Sequence, residues 1–172
     1  SEIGISEITP IICERSERKF LNENRLKKVL VSAMKQSLKS HLPKLNSVKT
    51  LKEFYQNDFK EELFIAHCND TNKNLLLNAL KPKSSSVILI GPEGDFTQKE
   101  IDKAIELKFK PVSLGESRFR AETAAIIATH TAVSYTHLRA HETLMNLVCR
   151  LLLEKTITTT DTLTTHRSRK HT

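Results

Sequence analysis

The stretch Val87-Ile88-Leu89-Ile90-Gly91-Pro92-Glu93-Gly94-Asp95-Phe96, running on into Thr97-Gln98-Lys99-Glu100, decides how this chain is read. Its opening run is short, apolar and rich in β-branched residues, and it follows the breaker cluster Lys81-Pro82-Lys83-Ser84-Ser85-Ser86. That is the pattern of a buried strand. Thr97 and Glu100 are spaced as a capping box, which opens a helix. Two glycines around a proline and a glutamate therefore make a loop at the carboxyl end of a sheet. Ligands bind there in open α/β folds, because backbone N–H groups and a helix N-terminus face the crevice. The loop is no P-loop: the G-x-x-x-x-G-K-[ST] spacing is missing, and Glu93 would repel a phosphate. G-x-G-x-x-G is missing too, so a nucleoside-type ligand without phosphates suits it better.

Residues 111–124 repeat this organisation. Pro111-Val112-Ser113-Leu114 reads as a strand, residues 115–120 as a loop, and Glu122 onward as a helix rich in Ala and Ile. Two glycine-marked loops would then lie side by side on one sheet edge. Elsewhere, residues 24–40 repeat apolar residues at i, i+3 and i+4, the mark of an amphipathic helix. Thr50 and Glu53 form a second capping box ahead of Phe54 and Tyr55. Residues 63–66 read as a strand ending at His67-Cys68, residues 74–80 as a helix, and the helix after Thr97 is expected to bury Ile101, Ala104, Ile105 and the stem of Lys108. Strands alternating with helices imply an α/β fold with a mainly parallel sheet covered on both faces.

The two loops, Gly91-Pro92-Glu93-Gly94-Asp95-Phe96 and Leu114-Gly115-Glu116-Ser117-Arg118-Phe119-Arg120-Ala121-Glu122-Thr123-Ala124, resemble the signature of the small-subunit ribosomal RNA uridine-N3 methyltransferases. These belong to the trefoil-knotted (SPOUT) class. Asp95 stands where that family usually has glycine. Upstream, residues 5–16 resemble the family's second strand and following loop. Ser32-Ala33-Met34-Lys35-Gln36-Ser37, with Leu42-Pro43 beyond, resembles its E-Q-S…P segment, with Lys35 in place of Glu. The matching blocks cover roughly residues 1–134, in the family's order.

The resemblance implies a C-terminal trefoil knot, S-adenosyl-L-methionine as cofactor, and methylation of a uridine N3 in 16S ribosomal RNA. It implies cofactor contacts from Ile90, Gly91, Pro92, Glu93, Gly94, Leu114, Gly115, Phe119, Arg120 and Thr123, with Arg120 and Glu122 as the catalytic candidates. Each has a plainer reading. The glycines could be ordinary turn residues, and Glu122 could simply complement a helix dipole. Glu93 could cap nearby N–H groups, and Arg118 and Arg120 could be surface charges. Arginines on a ligand-edge loop nonetheless suit an RNA phosphate, a uracil carbonyl or the cofactor carboxylate. The sulfonium methyl is already activated, so catalysis reduces to positioning the uracil nitrogen and removing its proton. Two rivals remain: a sister knotted enzyme acting on a ribose 2′-hydroxyl, and a catalytically silent RNA-binding or dimerisation module.

The 172 residues carry a net charge of +7, which favours an anionic partner and fits RNA. Scarce aromatics argue against a base-stacking platform. No apolar run could cross a bilayer, and three cysteines without a C-x-x-C pair favour a reducing cytoplasm. The family is dimeric through its last helix, where Ala124, Ala125, Ala128 and Ala132 offer small side chains, so a homodimer is expected. The first residues resemble the end of the family's first catalytic-domain helix, which places its preceding strand and amino-terminal RNA-binding domain outside this chain. We expect a methyltransferase domain over residues 1–138. Residues 139–172, which leave the family pattern and end in a Thr/His/Arg-biased run, are expected to be a non-native or disordered tail. No metal is expected: His137, His141 and Cys149 mimic a zinc spacing by chance and lack a fourth ligand.

Overall fold

A computed structural model describes residues 2–17, 20–69, 73–82 and 84–138, the last three by backbone alone. The chain divides into a unit of Ser1–Thr136 and a unit of His137–Thr172, the second lying almost wholly outside the described residues. The tail and the His137, His141 and Cys149 spacing fall there as well.

At the centre lies an all-parallel sheet made of β5 (Glu62–Ala66), β6 (Asn74–Leu75), β7 (Ser86–Ile90) and β8 (Lys110–Ser113), in the order β6-β8-β5-β7. Alternation along the strands feeds two cores, as the pleat requires. Leu63, Ile65, Val87 and Leu89 join one core, where α2 (Leu51–Phe54) contributes Leu51 and Phe54 and α4 (Gln98–Glu106) contributes Ile101 and Ala104. Phe64, Ala66, Ile88 and Ile90 join the other, with Leu76 of α3 (Leu76–Ala79) and Ala128, Ala132 and Tyr135 of α5 (Ala121–Leu138). Helices thus cover both faces, as the alternating pattern implies. The last strand enters between two earlier ones, an arrangement consistent with the knotted α/β class.

Before this sheet come β1 (Glu7–Ile8), β2 (Ile11–Ile12), α1 (Glu23–Gln36), β3 (Lys44–Leu45) and β4 (Lys49–Thr50). Pro10 cannot donate to a ladder, and the segment expected as one strand is two short ones, β1 pairing with β3 and β2 with β4. Both expected capping boxes form, Thr50 with Glu53 and Thr97 with Glu100.

Three local expectations need correction. The helix expected over residues 74–80 starts only at Leu76, because Asn74 and Leu75 pair with Val112 and Ser113 as β6. α1 stops at Gln36 rather than Ser40: Leu38 turns left-handed at φ 53°, and Lys39 N–H donates back to Met34 O. α4 ends the same way. Lys108 takes φ 69°, Phe109 N–H donates to Ala104 O, and the Phe109 ring, not the Lys108 stem, enters the core. Ile105, although spaced i+4 from Ile101, is 49% exposed.

Candidate active site

The register of the central sheet builds the site. Ala66 of β5 is paired with Ile90 of β7 on one side and Val112 of β8 on the other. Three parallel strands therefore end within one residue of each other, and their exits (His67 onward, Gly91 onward, Leu114 onward) share the carboxyl edge of the sheet. Every residue expected to contact the cofactor lies at the end of β7, on the last two exits or at the start of α5. Ile90 and Leu114 pack partly into the α5-side core, which leaves them half-buried beneath the loops.

The loop after β7 is held from several directions. Asp95 sits at φ 58°, a left-handed backbone region where L residues other than Asn and Asp are uncommon. It is 8% exposed. Asp95 Oδ2 accepts from Cys68 N–H at 2.7 Å and Oδ1 accepts from Phe96 N–H at 2.8 Å, so one carboxylate ties the β5 exit to the β7 exit. Asp95 N–H in turn donates to Pro92 O at 2.9 Å. A Cβ on Gly91 would fall 2.8 Å from Asp95 Oδ1 and 3.3 Å from the Phe96 ring; the close approach of carboxylate and backbone requires glycine. A Cβ on Gly94 would fall 2.9 Å from Arg15 Cβ. Arg15 also donates from Nη1 to Gly94 O at 3.2 Å, so the turn after β2 lies against this loop.

Glu100 completes the brace. Its Oε2 accepts from Thr97 N–H at 2.8 Å, while Oε1 accepts from Glu14 N–H at 3.0 Å. Behind it, Tyr55 donates its hydroxyl to Glu100 O. Burial, with the Glu100 charge adding to it, pushes the Cys13 thiol up to about 12. The same causes raise the Tyr55 phenol above its ordinary range.

The loop after β8 is different. Gly115 lies at φ 152°, with its Cβ position 3.4 Å from the Phe119 ring. Ser113 Oγ donates to Gly115 O at 2.8 Å and accepts from Gly115 N–H at 3.2 Å. Beyond that, the N–H groups of Glu116, Ser117, Arg118 and Phe119 have no partner among the described residues. Arg118, Arg120, Glu122 and Thr123 are exposed, as is Glu93 on the first loop, and none of these side chains makes a hydrogen bond or ion pair among the described residues. Free backbone donors and acceptors beside half-buried Ile90, Leu114 and Phe119 fit the edges and flat face of a nucleoside. Glu122 falls in the first turn of α5, where its charge complements the helix dipole.

His67 forms the floor of the β5 exit. The Lys73 ammonium donates to His67 O and stands 3.4 Å from Nδ1. Burial and the Lys73 charge hold the imidazole below its usual range, against an opposing pull from Asp95. The sequence placed His67 and Cys68 at the end of this strand. It missed the Asp95 staple and the Arg15 contact, which join residues distant in sequence and leave no periodic signal. Among the described residues no group of side chains is arranged to hold a metal ion.

The family model described as RNA methyltransferase domain matches residues 1–133, and the chain belongs to that family. It is 31% identical over 130 residues to ribosomal RNA small subunit methyltransferase E of Rickettsia conorii, an alignment covering 74% of this chain and 53% of that protein. Its fold resembles a protein of Porphyromonas gingivalis described as a probable rRNA-methyltransferase, at 34% identity and a TM-score of 0.72, covering 78% of this chain and 58% of the other. It also resembles ribosomal RNA small subunit methyltransferase E of Neisseria gonorrhoeae, solved bound to S-adenosyl methionine, at 26% identity and a TM-score of 0.66, with 77% and 57% covered. The chain spans about half the length of the curated relatives it matches.

Proposed function

We propose that this chain is the methyl-transferring domain of an enzyme that uses S-adenosyl-L-methionine to methylate the N3 of a uridine in 16S ribosomal RNA. The near-level ending of β5, β7 and β8 is the observation that carries this reading, because it gathers both glycine loops at one edge. The cofactor, when bound, supplies a methyl group activated by its sulfonium. Backbone groups of Gly91, Pro92, Glu93, Gly94, Gly115 and Thr123 contact it, with apolar packing from Ile90, Leu114 and Phe119. Arg120 contacts the cofactor and orients the RNA from the open loop, and Glu122 assists at the reacting base. Near-level strand ends, glycines at close approaches and free backbone donors all support the site. The relatives' names support the substrate.

The working enzyme is a cytoplasmic homodimer through α5. Ala128 and Ala132, expected to face a second copy, instead pack into the chain's own core, and Ala128 is only 2% exposed. The face left for a partner carries Ile126, 60% exposed, and His130. No helix among the described residues is long and apolar enough to cross a membrane. Residues 1–138 form the methyltransferase domain in this reading, and deleting residues 139–172 leaves cofactor binding unchanged. The test of function is nucleoside mass mapping of small ribosomal subunits incubated with the chain and cofactor. A methyl group on a uridine N3 supports the reading; a 2′-O-methylated ribose, or no methylation, refutes it.

A further inference from the structure

The positive charge of this chain is gathered in one stretch. Residues 24–52 hold eight lysines and arginines and no aspartate or glutamate, a charge of +8 against +7 for the whole chain. The other residues of 1–138 sum to −4. All eight cations but Lys49 are exposed. Only Lys44 has a carboxylate within ion-pair distance among the described residues, Glu7 at 3.6 Å.

Four of the eight stand on α1, a helix without a fully buried residue. Lys27, Lys28, Val31, Ser32 and Lys35 recur at three- and four-residue spacing, so they share one face, and they line a shallow hollow of about 400 Å³. Lys27 and Lys35 are separated by about 12 Å along the helix axis. A helix face that meets only solvent gains from acids and bases interleaved at i, i+4, while like charges destabilise it. This face forgoes that gain. The one acid on α1 is Glu23, and its Oε1 accepts from Val48 N–H at 3.4 Å. Unpaired cations along an open, shallow surface fit an anion whose charge repeats along its length, as a phosphate backbone does. The face is also tethered to the site. Arg15 bonds Gly94 O in the braced loop, and the chain from Arg15 to Glu23 reaches at most about 30 Å.

We propose that the α1 face bearing Lys27, Lys28 and Lys35 is a docking surface for the phosphate backbone of the RNA substrate, separate from the loops that hold cofactor and reacting base. This rests on the proposed RNA-methylating function. Phosphate contacts fix the position of a nucleic acid without reading its bases, so this face sets affinity for the substrate and leaves the chemistry alone. An anionic lipid surface is the competing polyanion; membership of an RNA methyltransferase family favours RNA.

The test compares the full chain with the triple variant Lys27→Gln, Lys28→Gln, Lys35→Gln, and with a control of equal charge change, Lys60→Gln, Lys99→Gln, Lys103→Gln. Binding to small ribosomal subunits is measured across a salt series, S-adenosylmethionine binding by calorimetry, and fold by circular dichroism. The α1 variant is expected to lose roughly 10-fold in subunit affinity and to lower the slope of log affinity against log salt by about 2–3, with the control clearly less affected. In methylation assays its KM for subunits should rise by a similar factor at unchanged kcat, and its cofactor Kd should stay the same. Equal losses in both variants make net charge alone responsible and overturn the proposal. So does a loss confined to sedimentation with phosphatidylserine vesicles while subunit binding is retained. Undiminished subunit binding by the α1 variant overturns this surface and leaves the proposed function standing, whereas an unsubstituted chain that does not bind subunits overturns both.

Discussion

Residues 91–97 and residues 114–120 leave neighbouring parts of one sheet, yet they are built in opposite ways. The first loop is tied to the β5 exit through Asp95, to the turn after β2 through Arg15, and to Glu14 through the capping glutamate Glu100. The second is bonded within itself through Ser113 and Gly115, and its two arginines are exposed. A site that binds a small cofactor and then a large RNA needs both kinds of loop. A preorganised wall avoids ordering cost when the cofactor binds, whereas an open arm can adapt to a second substrate. On this view the braced loop sets cofactor affinity and the open loop sets turnover on RNA.

The strongest way to break that division is Gly91→Val. The new side chain meets the Asp95 carboxylate and the Phe96 ring, and the overpacking of about 1–3 kcal/mol falls on the cofactor wall. S-adenosylmethionine affinity measured by calorimetry should drop by roughly 100-fold. Next comes Arg120→Ala, which removes an exposed side chain without a partner among the described residues. Turnover on small subunits should fall by roughly 10- to 100-fold, the scale of one lost charged hydrogen bond, and cofactor affinity by clearly less. An equal loss in both quantities would erase the distinction between the loops.

Gly94→Ala probes the brace more gently. Its Cβ would press on Arg15, costing about 1–2 kcal/mol in chemical denaturation and loosening the turn after β2. The smallest effect concerns Cys13, behind the brace. Its thiol titrates near 9.0 when unperturbed and about 12 when buried here. A group with a raised folded pKa stabilises fully below its unfolded value and loses that contribution as pH rises toward the folded one. Stability should thus fall between about pH 9 and pH 12, by at most about 1.4 kcal/mol per pH unit. Cys13→Ala should flatten that slope in denaturation series at pH 8 and pH 10.

The braced loop was also the more legible of the two regions in sequence. Val87 to Ile90 alternate between two cores, and Thr97 with Glu100 caps a helix, so strand, loop and helix could be placed from spacing alone. The brace itself could not. Glu14 and Glu100 are 86 positions apart, and nothing in the spacing tells that the Asp95 carboxylate reaches Cys68 N–H. Short strands were equally hidden: β6 is two residues whose pairing with β8 overrides a helical pattern. Ile105 shows the same limit in packing: its spacing claimed a buried position, yet it is exposed, and Phe109 beyond the left-handed Lys108 is in the core.

Hydrogen–deuterium exchange of the two loops, with and without S-adenosylmethionine, tests the central claim most directly. In the free chain, amides over residues 93–97 should exchange slowly and those over residues 116–119 rapidly. Saturating cofactor should protect both segments, with the larger gain in the second. If cofactor binds and protects neither segment, or the two exchange alike when free, the braced-and-open account of this site is wrong.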